Sequence, residues 1–283
     1  MDSVALLLEG GGMRCAFTAG VLDYFMEKGL FFPALYGVSA GACQACSYLC
    51  NQPGRGIRVW KNYLTDKRFR SVSSLLFTGD LFNAKFNYDT LPNQLDPLDS
   101  AYFETHKASF YAVVTNLRSG LAEYMPIDDM RRDIAAIQAS ASLPLVSRPV
   151  PIRGGLYLDG GVADSIPLRQ AMRDGHVKNV LVLTQAPGYI KEPNRAMPLL
   201  SLRYARYPAF LRSLRERHIR YNDTLALIGS EQAQGCAFVI QPQRTPDIAR
   251  IEKDPARLEK LYQVGYEEAQ ALYPALMDFL SDQ

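Results

Sequence analysis

Ser39 stands in Gly37-Val38-Ser39-Ala40-Gly41, a G-x-S-x-G stretch of the kind that presents a serine hydroxyl at the tip of a sharp strand-to-helix turn. Gly37 and Gly41 relieve the crowding such a turn creates. A serine hydroxyl is a poor nucleophile until a base takes its proton. Upstream lie Gly10-Gly11-Gly12, followed by Met13 and Arg14. A glycine run between a strand and a helix lets backbone N–H groups converge on an anion. That anion is either a nucleotide phosphate or the oxyanion of a tetrahedral intermediate. Cys15 falls where the last glycine of G-x-G-x-x-G would stand, and no Lys-Ser/Thr pair follows to make a P-loop. With a serine elbow close by, the oxyanion reading is the stronger one, and Arg14 would add positive charge at the mouth of the site. The plain alternatives are a helix cap at Ser39 and a solvated arginine in a first turn.

No histidine stands out as the middle member of a triad. His106 and His218 lie in polar stretches and His176 follows Asp174-Gly175 in a turn. Position 39 is also too early for the elbow of an α/β-hydrolase, which follows several strands and the oxyanion loop. Asp159, by contrast, closes an apolar run and precedes Gly160-Gly161. A carboxylate serves as a general base when partial burial brings its pKa toward the working pH. Ser39 and Asp159 therefore make a chemically sensible dyad. Asp-Gly is equally a favoured turn pair, so that motif alone leaves an ordinary turn open. Two further readings stay open: a Ser-His-Asp esterase using His218, and a non-catalytic anion- or nucleotide-binding module built on the glycine run.

The elements that must position these residues follow from hydrophobic pattern. Val4 to Leu8 is a continuous apolar run, as in a buried parallel strand. Phe17, Val21, Leu22, Phe25 and Met26 recur at helical spacing up to Gly29. Leu35 to Val38 reads as a strand entering the Ser39 turn, and Ala40 to Tyr48 as a helix of small residues. Residues 51–105 carry no clear pattern and read as a cap or elaboration of the core. Strands are expected over Phe110–Thr115, Asn179–Thr184 and Cys236–Ile240, with an edge strand over Leu121–Met125. Helices are expected over Asp133–Ala141, Pro167–Arg173 and Ala256–Leu280, the last with a bend near Pro274. Gly154-Gly155 breaks Val150–Leu158 into a hairpin that leads to Asp159. Strands alternating with helices indicate an α/β fold around a mostly parallel sheet.

The 283 residues suit a single domain spanning 1–283, with the motifs in a core over about 4–185 and an elaboration over about 186–283. Hydrophobic residues make up 48% and the net charge is +2, so no global charge argument for nucleic acid exists. Five cysteines form no small-domain disulfide framework and point to a reducing compartment. Cys43, Cys46 and Cys50 share one helix face, where packing is a simpler account than a metal site. No secretory leader and no apolar run of spanning length is apparent, so a cytoplasmic protein is expected.

Together these residues resemble the patatin-like phospholipase family, and its short bacterial members in particular. The resemblance rests on Leu8-Glu9-Gly10-Gly11-Gly12-Met13-Arg14, Gly37-Val38-Ser39-Ala40-Gly41, Ala139-Ser140-Ala141-Ser142-Leu143-Pro144, Tyr157-Leu158-Asp159-Gly160-Gly161 and Asp164-Ser165-Ile166-Pro167. It implies a three-layer α/β/α sandwich and a Ser39–Asp159 dyad. It further implies an oxyanion hole from the backbone of Gly11 and Gly12, acyl-lipid esters as substrates, and no metal or cofactor. Two residues depart from the family's pattern: Cys15, where glycine is common, and Ser165, where asparagine is frequent.

Between 191 and 221 stand Lys191, Arg195, Arg203, Arg206, Arg212, Arg215, Arg217 and Arg220, interleaved with Tyr204, Tyr207, Phe210, Leu211 and Leu214. Such a segment suits peripheral contact with an anionic membrane surface, here the inner face of the membrane. It is equally the pattern of a solvated helix packed on the core by its apolar stripe. No nucleic-acid recognition motif accompanies the arginines.

Overall fold

A computed structural model describes residues 3–105, 107–249 and 251–281; His106 lies outside them. The elements run β1 (Val4–Leu8), α1 (Ala16–Glu27), β2 (Ala34–Val38), α2 (Ala40–Leu49), α3 (Arg55–Tyr63), α4 (Val72–Thr78) and α5 (Ser100–Thr105). They continue with β3 (Ser109–Asn116), β4 (Ala122–Pro126), α6 (Ile134–Ser140), β5 (Val150–Ile152), β6 (Gly155–Asp159) and α7 (Leu168–Arg173). The chain closes with β7 (Lys178–Val182), α8 (Met197–Arg203), α9 (Pro208–Ala233), β8 (Ala237–Ile240) and α10 (Pro255–Ser281).

β1 is apolar at every position because both of its faces are covered. Leu6 and Leu8 join Val180 and Val182 in a core shared with α1, α2 and α10. Ala5 and Leu7 face the other way, into a core with Tyr36, Leu181, Leu168 of α7 and Tyr221 of α9. Helices thus cover both sides of one sheet, the layered α/β/α arrangement expected.

The sheet order is β5-β6-β3-β2-β1-β7-β8, with β4 also on β3. Its strands are parallel from β3 through β2, β1 and β7 to β8. The remaining pairings, β3–β4, β3–β6 and β5–β6, are antiparallel, so the mostly parallel sheet expected carries an antiparallel portion at one side. The cause is local. Short turns join β3 to β4 and β5 to β6, and a tight turn returns the chain beside the strand it has just left. At β5–β6 that turn uses Arg153 and Gly154, both at positive φ.

The register along β3 brings distant residues together. Val113 is flanked by Val38 of β2 and Tyr124 of β4, and Val114 by Asp159 of β6 and Glu123 of β4. β4 therefore runs along one edge of β3, while β2 and β6 meet end to end along the other. The last residue of β2 and the last residue of β6 sit opposite successive residues of β3. The polar region 51–105 is more regular than its sequence suggests. It folds as α3, α4 and α5 with a π-helical segment, Phe86–Leu95, that contains Pro92.

Candidate active site

Ser39 follows β2 directly and leads into α2 with φ 56° and ψ −128°. A side chain rarely tolerates that backbone, and holding it there costs about 1–3 kcal/mol that the surroundings must offset. They do so by close contact. A Cβ on Gly37 would lie 2.6 Å from the Ala42 Cα, and one on Gly41 would lie 2.8 Å from the Leu8 carbonyl oxygen. The Ser39 carbonyl accepts from the N–H of Ala42 and Cys43, which starts α2. The Ser39 N–H donates to the Ser140 hydroxyl at the end of α6, at 2.9 Å.

The Ser39 hydroxyl donates to Asp159 Oδ2 at 2.6 Å, across 120 residues of sequence. Both residues are buried, Ser39 at 7% and Asp159 at 3% exposure. The second carboxylate oxygen of Asp159 accepts from the Gly161 N–H at 2.8 Å. The Asp159 main chain is fixed on both sides: its N–H donates to the Ser142 carbonyl at 2.8 Å, and its carbonyl accepts from the Thr115 hydroxyl at 2.8 Å. The A-S-A-S-L-P stretch thus has a part in the site, with Ser140 on the serine and Ser142 on the aspartate. Nothing local in the stretch indicates either task.

Gly10, Gly11 and Gly12 connect β1 to a 3-10 turn, Gly12–Cys15, and then to α1. A Cβ on Gly10 would press on the Ser39 Cβ at 3.0 Å, so this loop lies against the elbow. Gly12 has φ 59°, a conformation glycine adopts freely. Its backbone N–H finds no acceptor among the described residues. Cys15 is fully buried, and its thiol donates to the Glu9 carbonyl at 3.5 Å. Burial and the nearby Glu9 push that thiol up to about 12. Arg14 does not line the cavity at Ser39, in contrast to its expected place at the mouth; its buried Nε has no hydrogen-bond partner among the described residues. The wall takes Gly12 and Met13 instead.

Glu9, beside this loop, is a buried carboxylate that sequence reading assigned no role. Its Oε2 accepts from the Thr184 N–H at 2.6 Å and the Thr184 hydroxyl at 2.9 Å, and its Oε1 from the Tyr221 hydroxyl at 2.6 Å. A Cβ on Gly11 would strike Thr184 at 2.8 Å. Glu9, Thr184 and Gly11 therefore set the loop as one packed unit.

Ser39 opens on a cavity of about 180 Å³. Phe82, Tyr88, Leu91, Ile137 and Leu143 give it a largely apolar wall. Cys43 and Cys46 also line it, so the cysteine face of α2 forms part of a pocket as well as part of the core. Burial pushes the Cys43 thiol up to about 12, which leaves it protonated and apolar at neutral pH. Residues from α3 to the π-helical segment supply much of the wall, so the elaboration at 51–105 shapes the pocket.

The histidines lie elsewhere. His176 packs edge-on against Tyr36 at 6.0 Å between ring centres, and burial pushes its pKa down. His218 lies in α9, and its buried Nδ1 has no hydrogen-bond partner among the described residues. Among the described residues no group of three or more His, Cys, Asp or Glu could hold a metal ion. No helix among them is long and apolar enough to cross a membrane.

The family model for patatin-like phospholipases matches residues 6–172, which contain both Ser39 and Asp159. The chain belongs to the patatin-like phospholipase family. A second model, "Domain of unknown function (DUF6363)", matches residues 207–281, from just before α9 to the end of α10. The uncharacterized protein YjjU of Escherichia coli (strain K12) is 34% identical over 65% of this chain and 52% of its own length. The "Lysophospholipase NTE1" of Coccidioides immitis (strain RS) is 26% identical, over 93% of this chain and 17% of that protein. A "Probable lipid hydrolase 463L" of Invertebrate iridescent virus 6 is 22% identical, over 62% of this chain and 65% of its own. The chain thus spans about half the length of the bacterial relative and a small part of the fungal one.

Proposed function

We propose that this patatin-like protein is a serine hydrolase of acyl-lipid esters that works through a Ser39–Asp159 dyad. The observation that carries the reading is the 2.6 Å hydrogen bond from Ser39 Oγ to Asp159 Oδ2, with the other carboxylate oxygen occupied by the Gly161 N–H. The oxygen that faces the serine is thereby placed to accept its proton. The Ser39 oxygen attacks the ester carbonyl carbon as Asp159 takes the hydroxyl proton. The carbonyl oxygen becomes an oxyanion, which the backbone N–H groups of the Gly10–Gly12 loop stabilise. The intermediate collapses to an acyl-enzyme, and the alcohol leaves with the proton held by Asp159. Water then attacks the acyl-enzyme, gives its proton to Asp159, and the fatty acid departs as the proton returns to Ser39 Oγ. The apolar wall of the cavity suits the acyl chain. Support for lipid as the substrate class comes from the family and from relatives named as lysophospholipase and lipid hydrolase.

The test is hydrolysis of mixed lipid extracts, with products identified by mass, and labelling of Ser39 by a fluorophosphonate. Ser39→Ala should lose labelling and product release, and Asp159→Asn should lose roughly 10²–10⁴-fold in kcat, the range of a general base. An active Asp159→Asn protein would sink the dyad. Full loss on His218→Ala would instead favour a triad.

A cytoplasmic protein that meets anionic lipid at the membrane surface fits this substrate. The basic stretch divides by orientation. Lys191 is buried, its ammonium 4.0 Å from the centre of the Tyr221 ring, and Arg217 and Arg220 bond to backbone carbonyls. Arg195, Arg203 and Arg206 are exposed, as are the apolar Leu199 and Leu202 of α8. α8 is therefore the part suited to an anionic bilayer. Arg203→Glu with Arg206→Glu should lower co-sedimentation with phosphatidylglycerol vesicles and leave phosphatidylcholine vesicles unaffected.

A further inference from the structure

One turn of α9 touches both loops of the site. Arg217, Arg220 and Tyr221 stand at spacings of three and four, so they share one helix face. Arg217 Nε donates to the Gly161 carbonyl, and its Nη2 approaches the Ser165 hydroxyl at 3.5 Å. Arg220 donates to the carbonyls of Val162 and Ala163, each at 3.2 Å. Three successive carbonyls after Gly160 are thus capped by two guanidinium groups. The Ser165 hydroxyl adds a second donor to the Gly161 carbonyl at 2.8 Å. Gly161 is also the residue whose N–H holds Asp159 Oδ1. One residue further along the same turn, Tyr221 donates to Glu9 at 2.6 Å, and Glu9 bonds to Thr184, against which Gly11 packs.

The carbonyls at the end of a short 3-10 turn have no further turn to accept from. Guanidinium donors satisfy them and supply positive charge at the carbonyl end of that turn. Lys191, packed over the Tyr221 ring, restrains the tyrosine from the other side.

We propose that this turn of α9 is a positioning device that sets Asp159 and the glycine loop together, with Arg217 and Tyr221 as its positioning residues. It gives the first part of the 207–281 segment, which its family model leaves without a function, a task in the neighbouring site. The inference rests on the hydrolase reading above. The hydrogen bonds of Arg217 and Tyr221 go to Gly161, Ser165 and Glu9 rather than to the Ser39 hydroxyl. They act through Gly161 and Glu9, so their loss should lower turnover and leave ground-state binding nearly unchanged.

The experiment uses the full chain with Arg217→Gln, Arg217→Lys and Tyr221→Phe, and with Arg212→Gln as a control on an exposed part of the same helix. Readouts are kcat and KM on p-nitrophenyl butyrate, the rate of fluorophosphonate labelling at Ser39, and the thermal midpoint. Arg217→Gln should lose roughly 10- to 100-fold in kcat with KM within about threefold, as expected for sub-ångström misplacement of a catalytic group. Labelling should slow in parallel, Arg217→Lys should recover part of the loss, and Arg212→Gln should match wild type. Tyr221→Phe removes only a hydroxyl and should show the same split, so the idea stays testable if Arg217→Gln folds poorly. Folded variants labelled at the wild-type rate would overturn the inference alone. So would activity losses that merely track loss of folded protein in both Arg217→Lys and Tyr221→Phe. A wild-type Ser39 that resists the probe would overturn the hydrolase reading first, and the inference with it.

Discussion

α9 and α10 are nearly equal in length, at 26 and 27 residues, and both follow the last of the family's motifs. They are attached to the rest of the molecule by different physics. α10 lies along α1 through small residues and apolar contact. A Cβ on Gly20 would fall 2.0 Å from the Tyr262 carbonyl oxygen, and one on Gly265 would fall 2.0 Å from the Phe17 carbonyl oxygen. The two helix backbones therefore touch, and Leu258, Leu261, Ala269 and Leu276 fill the core on either side. α9 also has apolar anchors, Phe210, Leu211 and Leu214, but its middle turn is fixed by guanidinium and phenol donors on loop carbonyls and a buried carboxylate. Apolar contact sets how much stability a helix contributes. Directional bonds set where a loop sits within tenths of an ångström. Damage to α10 should therefore appear in stability and damage to the α9 turn in turnover.

Gly265→Val should give the largest stability effect in this comparison. The added branches meet the backbone of α1, which cannot yield as a flexible side chain would. A loss of about 3 kcal/mol is expected in denaturant unfolding. Activity per folded molecule should hold near wild type. A drop in kcat at full folding would break the contrast, since it would show that α10 also sets the site.

The catalytic candidates were readable because each is embedded in its own local constraint. Gly37 and Gly41 announce a crowded turn at Ser39, and Gly160-Gly161 announce one at Asp159. The strands around them were readable for a related reason, since burial on both faces leaves an unbroken apolar run. The supporting groups were not. Glu9 and Tyr221 are separated by 212 residues, and nothing local in either stretch indicates the other. The arginines of α9 have the composition of a solvated or lipid-facing segment, and only the tertiary fold turns Arg217 and Arg220 inward. The same limit applies at 51–105, where the pocket wall is assembled from short helices with mixed polarity. Ser165, a departure from the family's pattern, keeps a role through its bond to Gly161. Arg14 adjoins the glycine run in sequence, yet the 3-10 turn presents Met13 to the cavity instead.

A middle-sized effect concerns Asp23 of α1, which accepts from the Tyr262 hydroxyl of α10 at 2.8 Å and from the Gly54 N–H at 2.7 Å. Burial raises its pKa from 3.8 to about 6, against the lowering effect of both hydrogen bonds. The folded state thus binds this proton more tightly than the unfolded chain does. Its contribution to stability is greatest below about pH 4 and declines as pH rises through 6. Asp23→Asn removes the charge. It should raise stability by about 1–2 kcal/mol at pH 7.5, less than the shift alone implies because the amide N–H2 needs a partner. The gain should vanish near pH 4. A thermal-melt series across that range checks it, and a gain independent of pH would exclude the titration as its cause.

The smallest effect sharpens the contrast between the two helices most directly. Lys61 of α3 pairs with Glu259 of α10 at 2.7 Å, with both side chains more than 40% exposed. Like Arg217, this is a cation bonded to a helix-borne or loop-borne acceptor across the fold. Unlike Arg217, it stands in water, where screening and side-chain entropy cancel most of the attraction. A double-mutant cycle on Lys61→Ala and Glu259→Ala should give a coupling of about 0.2–0.5 kcal/mol that fades with added salt. Neither variant should alter kcat. A charged contact of ordinary length then has no effect on turnover on one C-terminal helix, while a comparable contact is decisive on the other. The difference lies in burial and in what the acceptor holds next: Glu259 holds nothing at the site, whereas Gly161 holds Asp159.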